Sequence, residues 1–412
     1  MTDDLSAALF LLAGVGVVLV GLQGVAVWLH TRRAPRARTT APRISVLKPL
    51  CGVDDALAAN IDAFAALAYP AFEVLLGVKD TADAAWPVAV AAARRHPGRV
   101  RAILQRGEPG LNPKVNQLVT LAAAARGEIL VVSDSNVRPP DGYLDEIAAG
   151  FEDESVGLVT HLISSSGEET WGSTFDALHL ATAIGPGVVG AKIVLGKSIV
   201  VGKSMAVRRR DLDGVGGFER VKDVLAEDYV FGRLVEDELA KTVTIARSPI
   251  FQVTERRSVA EFVARYLRWS VIHRKSVPAP LYLGELLLNP VALAAVGVGV
   301  APSTAGLALF GAVAAAKVLV DAAAAGRLRA EPFSGGTYLA IPVKDLLVGL
   351  AWAGGLLRSR VRWRGRRYRV LPGTRLLADD RSGERPVGGL GPGLAQADGG
   401  GMERGHLSVG RV

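Results

Sequence analysis

The stretch Ile129-Leu130-Val131-Val132-Ser133-Asp134-Ser135-Asn136 joins four apolar residues almost directly to a carboxylate. A short, continuous apolar run that ends in polar residues is typical of a buried strand in a parallel sheet. Ligands of open α/β sheets bind at the carboxyl ends of the strands. We therefore predict that Asp134 lies at such an end, in a position suited to holding a divalent cation.

A phosphate-loop protein would also place an aspartate there, but it needs a glycine five residues before its Gly-Lys-Ser triplet. The two triplets, at Gly196 and Gly202, have Ala191 and Lys197 at that position. The sequence thus excludes a phosphate loop at either triplet.

Three further short apolar runs precede this strand, at residues 44–47, 73–78 and 100–104, and the strand itself covers 129–133. Amphipathic stretches long enough for helices separate them. Strands that alternate with helices predict crossover connections and a mostly parallel sheet covered on both faces. We assign residues 43–255 to an α/β domain of the nucleotide-binding type.

Residues 5–29 carry no charged side chain and are long enough to cross the hydrocarbon of a bilayer. A cleaved signal peptide is the alternative, but Asp3 and Asp4 make the start acidic and the apolar run is too long. We predict a transmembrane helix over residues 1–30. The arginines that follow it place the α/β domain in the cytoplasm.

A second apolar region covers residues 281–357 and predicts a helical hairpin plus a third membrane segment. Four full crossings in total would put the basic cluster at 358–369 outside, against the positive-inside tendency, so one of the three C-terminal segments is predicted not to cross. Lys317 and Asp321 are four residues apart, so they neutralise each other or snorkel towards an end. Lys344 and Asp345 indicate an interfacial or re-entrant beginning.

The net charge of +8 is concentrated beside the apolar regions, which favours a membrane surface over nucleic acid as the partner. The single cysteine, Cys51, excludes an intramolecular disulfide, as is usual in a reducing cytosol. Residues 358–412 form a basic segment and a Gly-rich tail, which we expect to be disordered from about residue 379.

Three more motifs carry polar groups suited to chemistry. Asp80 closes the run Val78-Lys79-Asp80, although an aspartate there is as often a turn residue. Glu227 and Asp228 precede a helix expected from about Val230, where the helix dipole alone would favour acids. The stretch at 256–280 places two arginines and a tryptophan on one helical face, which suits either phosphate binding or an interfacial anchor: Arg265, Arg268 and Trp269.

Together these motifs resemble those of the ceramide glucosyltransferases, a lipid-directed branch of the inverting glycosyltransferases with a GT-A (Rossmann-like) fold. The resemblance extends from about Val46 to Tyr368. It includes further pieces in the same order along the chain: Leu47-Lys48-Pro49-Leu50-Cys51-Gly52-Val53-Asp54, Tyr69-Pro70, Leu111-Asn112-Pro113-Lys114-Val115-Asn116, Gly202-Lys203-Ser204-Met205 and Trp363-Arg364-Gly365-Arg366-Arg367-Tyr368-Arg369.

The resemblance implies a role for each motif. Asp80 would contact the uridine of the donor, Asp134 would hold Mg²⁺ or Mn²⁺ on the diphosphate, and Asp228 would be the catalytic base. Lys114 would contact a phosphate. The family's Arg/Gln-x-x-Arg-Trp signature, here Arg265, Arg268 and Trp269, would lie by the diphosphate and the acceptor entrance. Asn136 departs from the Asp-x-Asp pattern of the wider superfamily and leaves the metal with fewer protein ligands.

The expected reaction is transfer of a hexose, glucose in the family, from a UDP-sugar to the hydroxyl of a membrane lipid such as ceramide. A hopanoid or a polyprenyl phosphate is the alternative acceptor, and a catalytically silent membrane scaffold is the alternative from another class. The expected location is the bacterial inner membrane, as a multi-pass protein with its catalytic domain in the cytoplasm. No motif fixes the sugar.

Overall fold

The structure is a computed structural model that describes residues 1–34 and 36–379. Residues 1–378 form one compact unit. The Gly-rich tail that the sequence predicts to be disordered lies, from residue 380, outside the described residues.

An eight-stranded sheet forms the centre of the chain, in the order β3-β2-β1-β4-β7-β6-β8-β5. Strands β1 to β4 are parallel to one another, whereas β7 runs antiparallel to β4. The four predicted strands and their parallel arrangement are confirmed. The strands are β1 (Ile44–Pro49), β2 (Phe72–Val78), β3 (Val100–Leu104), β4 (Ile129–Val132), β5 (Val137–Arg138), β6 (Val156–Ser166), β7 (Met205–Arg208) and β8 (Thr242–Val253).

Helices cover both faces of this sheet, which explains why β1 and β4 are buried at every position. The helices of the chain are α1 (Thr2–Thr31), α2 (Leu57–Ala65), α3 (Ala85–Arg95), α4 (Pro113–Ala124), α5 (Tyr143–Gly150), α6 (Trp171–His179), α7 (Gly185–Leu195), α8 (Arg209–Gly214), α9 (Glu227–Leu239), α10 (Val259–Ser276), α11 (Ala279–Gly284), α12 (Pro290–Val300), α13 (Thr304–Leu328) and α14 (Ile341–Leu357).

Four helices in the described part of the chain are long and apolar enough to cross a membrane: Thr2–Thr31, Trp171–Leu195, Thr304–Leu328 and Gly335–Leu357. The second, α6 joined to α7 by a π-helical turn, is not among the predicted membrane segments. It connects β6 to β7, which pair with each other in the sheet. A single crossing would separate these two strands across a bilayer, so this helix stays on the side of the sheet.

Helix α1 packs against a hairpin formed by α13 and the bent pair Ala279–Leu288 and Pro290–Val300, whose halves meet at 86°. The Ser6 hydroxyl donates to the Gly297 carbonyl (2.9 Å) at the end of α1 far from the sheet. Arg329, just after α13, donates to the Ser165 carbonyl at the end of β6 (2.9 Å). The hairpin therefore leaves the sheet domain and returns to it.

Helix α14 packs along α10 rather than along α1. Its Gly354 and Gly355 lie against Leu267 and Ser270 of α10. The residue after α14, Arg358, accepts a hydrogen bond from Arg274 at its carbonyl (2.6 Å). The start of α14 contacts α6, the helix that follows β6. Both ends of α14 thus lie beside elements that pack on the sheet domain, and it is the C-terminal segment whose geometry does not require a crossing.

Beyond α14 the chain forms a second, antiparallel sheet of β9 (Arg360–Trp363), β10 (Arg366–Val370) and β11 (Leu376–Ala378). The sequence indicates only a basic segment here. Thr374 accepts hydrogen bonds from the Leu225 amide at its carbonyl (2.9 Å) and from the Ala226 amide at its hydroxyl (3.3 Å). This small sheet therefore supports the loop that leads into α9.

Lys317 and Asp321 form an ion pair, as predicted, but they do not snorkel, because both are fully buried. They meet Lys344 and Asp345 of α14 in one cluster. Lys344 lies 2.6 Å from Asp345 and 3.9 Å from Asp321, and Lys317 lies 3.5 Å from Asp345. We call these four residues the buried charge cluster.

Candidate functional site

Asp134 lies just after β4, at the carboxyl end of the strand, where the sequence predicts it. One carboxylate oxygen lies 2.9 Å from the Lys114 ammonium, and the other lies 3.0 Å from the Lys203 ammonium. Burial alone would raise the pKa of Asp134, but the two lysines outweigh it and hold this pKa well below its usual range. Asp134 is therefore ionised at any physiological pH.

Lys114 joins Asp134 to the acidic pair at the start of α9. Its ammonium contacts Glu227 (2.9 Å) and the Gly202 carbonyl (3.1 Å) as well as Asp134. The Asn112 side chain caps α4 and accepts from the Lys114 amide (2.9 Å), which fixes this lysine in the first turn. Burial would lower the pKa of Lys114, but the surrounding carboxylates raise it above its ordinary value.

Asp228 lies in the first turn of α9, which begins at Glu227, three residues before the predicted start. Its carboxylate accepts hydrogen bonds from the amides of Gly202 (2.7 Å) and Tyr229 (2.8 Å). Within the described residues it forms no ion pair. Burial, and next the charge of Glu227, raise the pKa of Asp228 to about 6.

Gly202 makes the approach of its amide to Asp228 possible. A Cβ atom at this position would lie 2.5 Å from the carboxylate oxygen that the amide contacts. Any larger residue would displace the Asp228 side chain.

Sequence reasoning gave no role to two lysines at this edge of the sheet. Lys203 donates to Asp134 and to the Asn136 amide oxygen (2.9 Å). Lys48, fully buried in β1, donates to the Asp134 carbonyl (2.7 Å), and burial lowers the pKa of Lys48 to about 7. The signal for Lys48 was available, since a lysine inside an apolar strand needs a partner.

Asp80 lies in the exposed turn after β2, where it accepts from the amides of Ala82 (2.9 Å) and Asp83 (3.1 Å). Asp80 thus acts as a turn residue in the structure. It lies at the same sheet edge as Asp134, with β1 between them, so two strand spacings, about 10 Å, separate their strands. Its contact with uridine stays a prediction.

Arg265 is fixed by two buried groups on neighbouring elements. Its guanidinium donates to Gln252 at the end of β8 (2.9 Å) and pairs with Asp176 of α6 (3.4 Å). Tyr266 also donates to Asp176, at 2.7 Å. Gln252 lies opposite Val137, the residue after Asn136, so Arg265 lies near the Asp134 edge of the sheet. The pKa of Lys203 is lowered by burial and further by the charge of Arg265.

Arg268 and Trp269 follow on the same helix. The Trp269 ring lies 4.9 Å from the Arg265 guanidinium and 5.4 Å from the Tyr266 ring. Arg268 makes no hydrogen bond or ion pair with the described residues. Burial, and next the charges of Arg265 and Arg257, lower the pKa of Arg268 to about 10. A half-buried guanidinium with unused donors is suited to binding an anion.

The oxygen atoms of Asp134 and Asn136 are the type of ligand that Mg²⁺ prefers. Within the described residues, no three His, Cys, Asp or Glu side chains converge as a metal site. Mg²⁺ commonly uses one or two protein ligands together with substrate phosphates and water. The pair therefore fits a cation that shares a diphosphate, on condition that the Lys203 ammonium leaves the two oxygens.

Comparison with known proteins gives a matching family and related sequences. The family model for glycosyl transferase family 21 matches residues 8–376. Ceramide glucosyltransferase 1 of Caenorhabditis elegans is 29% identical over 58% of this chain and 51% of its own length, and ceramide glucosyltransferase 3 of the same organism is 27% identical over 60% and 54%. The chain thus spans about half the length of the curated relatives it matches.

Among solved structures, a mannosyltransferase from Pyrobaculum calidifontis, in complex with GDP-Man and Mn²⁺, has a similar fold. The TM-score is 0.53 at 17% identity, over 86% of this chain and 99% of that one. This similarity supports the GT-A fold.

Proposed function

The chain belongs to glycosyl transferase family 21, and from this premise we propose that it moves a hexose, glucose, from a UDP-sugar to the hydroxyl of a membrane lipid, ceramide. That the chain is a glycosyltransferase follows from the family. The observation that carries the finer proposal is the contrast between two neighbouring aspartates. Asp134 is held by two ammonium groups, whereas Asp228 has none and a raised pKa.

The cationic side chains around Asp134 suit the leaving group. The negative charge of a nucleoside diphosphate grows as its bond to the sugar breaks, so groups that bind this charge lower the barrier. Lys114, Lys203 and Arg265 lie at the edge where we expect the diphosphate, and Arg268 has donors to offer. Asp134 and Asn136 would hold a Mg²⁺ or Mn²⁺ ion, which when bound supplies charge neutralisation on the diphosphate.

Asp228 suits the role of general base. A base works best when its pKa lies near the operating pH, and a pKa of about 6 leaves Asp228 ionised but still basic at neutral pH. In our proposal it takes the proton of the lipid hydroxyl as that oxygen attacks the anomeric carbon. This is a single displacement, which inverts the configuration of the sugar.

The apolar helices support a lipid acceptor. Helix α10, which carries Arg265, Arg268 and Trp269, packs directly against α14, so the candidate site adjoins the apolar part of the molecule. The basic residues after α1 lie at the end of that helix where Arg247 of the sheet donates to Thr31 (3.1 Å). The positive-inside tendency then supports our proposal that the sheet domain lies in the cytoplasm, at the bacterial inner membrane.

The test is direct. Detergent-solubilised protein is incubated with UDP-glucose, UDP-galactose or UDP-N-acetylglucosamine and with ceramide or a hopanoid, and products are read by mass spectrometry. We expect hexosylceramide from UDP-glucose, formed at least about 10²-fold more slowly by the Asp228→Asn variant. Product on the hopanoid alone would replace ceramide as the acceptor. If no combination yields product or donor hydrolysis, the result would contradict the proposed activity and favour a silent scaffold.

A further inference from the structure

The Lys203 ammonium lies between the two side chains best suited to hold a metal ion. It is 3.0 Å from Asp134 and 2.9 Å from the Asn136 oxygen, while the second Asp134 oxygen is taken by Lys114. A dication placed between Asp134 and Asn136 would meet this ammonium at close range. Like charges repel strongly at such distances in a partly buried site. The ammonium and the metal therefore exclude each other from the position.

The backbone at Lys203 is fixed, whereas its side chain is long. The preceding residue, Gly202, donates to Asp228. The following residue, Ser204, is fully buried and contacts the Tyr143 hydroxyl (2.7 Å) and a His161 ring nitrogen (2.8 Å). Pairing of β4 with β7, Val132 opposite Met205, holds the loop beside Asp134. A lysine stem with four rotatable bonds allows the ammonium to move while the backbone stays in place.

The protein also offers the cation few ligands of its own. Asn136 supplies a neutral oxygen where a second aspartate would supply a charged one, so the pair carries one negative charge. That charge is already balanced by lysines. A nucleoside diphosphate brings several negative charges, which both attract a dication and give the Lys203 ammonium a new anionic partner.

We propose that Lys203 occupies the metal position in the donor-free protein, and that a divalent cation enters only together with the nucleoside diphosphate, when the ammonium passes to the phosphates. Lys203 thus sets the order of binding and keeps free metal off the site. The inference rests on the proposed donor class. The comparison that decides it, Mn²⁺ binding by the wild type and by variants of the site, is made without nucleotide.

The experiment measures Mn²⁺ binding to the full-length protein in detergent by electron paramagnetic resonance, with and without UDP. We expect UDP to raise the Mn²⁺ affinity of the wild type at least tenfold. Without UDP, Lys203→Met should bind Mn²⁺ at least tenfold more tightly than the wild type, and Asn136→Asp should do the same. Lys203→Arg keeps the cation and should behave as the wild type.

Lys197→Met is the matched control, since Lys197 lies on the same loop and is exposed. It should leave Mn²⁺ binding unchanged. The inference would be overturned if, without UDP, the wild type, Lys203→Met and Asn136→Asp bound Mn²⁺ with equal affinity. Tight Mn²⁺ binding by the wild type in the absence of UDP would overturn it as well. If Lys203→Met does not fold, Asn136→Asp and the wild-type comparison decide. A wild type that never binds UDP or turns over a UDP-sugar would instead contradict the proposed function.

Discussion

Two of the places where lysine and aspartate side chains meet in this molecule have opposite arrangements. In the buried charge cluster two lysines and two aspartates contact one another, fully enclosed by helices. At the sheet edge the charges are distributed unevenly, because Asp134 has two ammonium partners and Asp228 has none. A balanced, closed cluster fixes the packing of helices, whereas an uneven, accessible one leaves groups to act on a ligand.

The largest expected effect is a loss of activity, and it comes from the sheet edge rather than from the buried charge cluster. Asp228→Asn removes the proposed base and should lower kcat by about 10²–10⁴-fold. The variant should still bind UDP. Steady-state rates and UDP affinity measure this, and near-normal turnover in the purified variant would refute the assignment.

The same variant should not lose stability. The pKa of Asp228 is raised in the folded protein from 3.8 to about 6, so folding disfavours its ionised form. The contribution of protonated Asp228 to the free energy of unfolding is therefore complete below about pH 4, and it is lost as the pH rises through 6. Uncharged Asn escapes this penalty, so at pH 7 the Tm of the variant should equal or exceed that of the wild type.

The buried charge cluster should respond in the reverse way. Lys344→Met leaves Asp345 and Asp321 with one ammonium between them, and breaking a buried ion pair costs about 3–5 kcal/mol. We expect a clearly lower Tm in detergent, with kcat of the folded fraction retained. An unchanged Tm would show that the cluster does not hold the helices.

A smaller effect should come from moving the base without removing it. Gly202→Ala places a methyl group against the Asp228 carboxylate and should lower kcat about tenfold or more, since misplaced catalytic groups lose up to about 10²-fold. Gly187→Ala is the matched control, because a Cβ there meets nothing within 4 Å. Equal rates in the two variants would contradict the placement of Asp228.

The smallest effect tests whether the small sheet of β9, β10 and β11 supports the loop that leads into α9. Thr374→Val removes the hydroxyl that accepts the Ala226 amide, a hydrogen bond worth about 1 kcal/mol. We expect a severalfold lower kcat with little change in KM, and recovery in Thr374→Ser. If Thr374→Ser is impaired as much as Thr374→Val, the hydroxyl is not what positions the loop.

Local patterns account for what the sequence predicted correctly. An apolar run that leads into a carboxylate is enough to place Asp134 at a strand end, and a spacing of four residues is enough to pair Lys317 with Asp321. The partners of Asp134 depend instead on strand register. Lys203 reaches Asp134 because β7 pairs antiparallel with β4, and no local signal announces that pairing.

Two other features were missed for similar reasons. The helix Trp171–Leu195 looks like part of the α/β alternation in sequence, and only the pairing of β6 with β7 shows that its ends share one side. The joining of Lys317 and Asp321 to the charges of α14 requires α13 to pack against the next helix of the chain, and no local pattern predicts that contact. Long-range contacts of this kind determine the order in the C-terminal basic segment as well.

The pH dependence of kcat/KM for sugar transfer, between pH 5 and 8, tests the central claim that Asp228 acts as the base. We predict that the rate falls below a midpoint near pH 6, tenfold per pH unit, as one proton binds. Glu227→Gln should move the midpoint to lower pH, because a neighbouring negative charge that raises the pKa of Asp228 is gone. A rate that is flat down to pH 5, or a midpoint that Glu227→Gln leaves in place, would contradict the account.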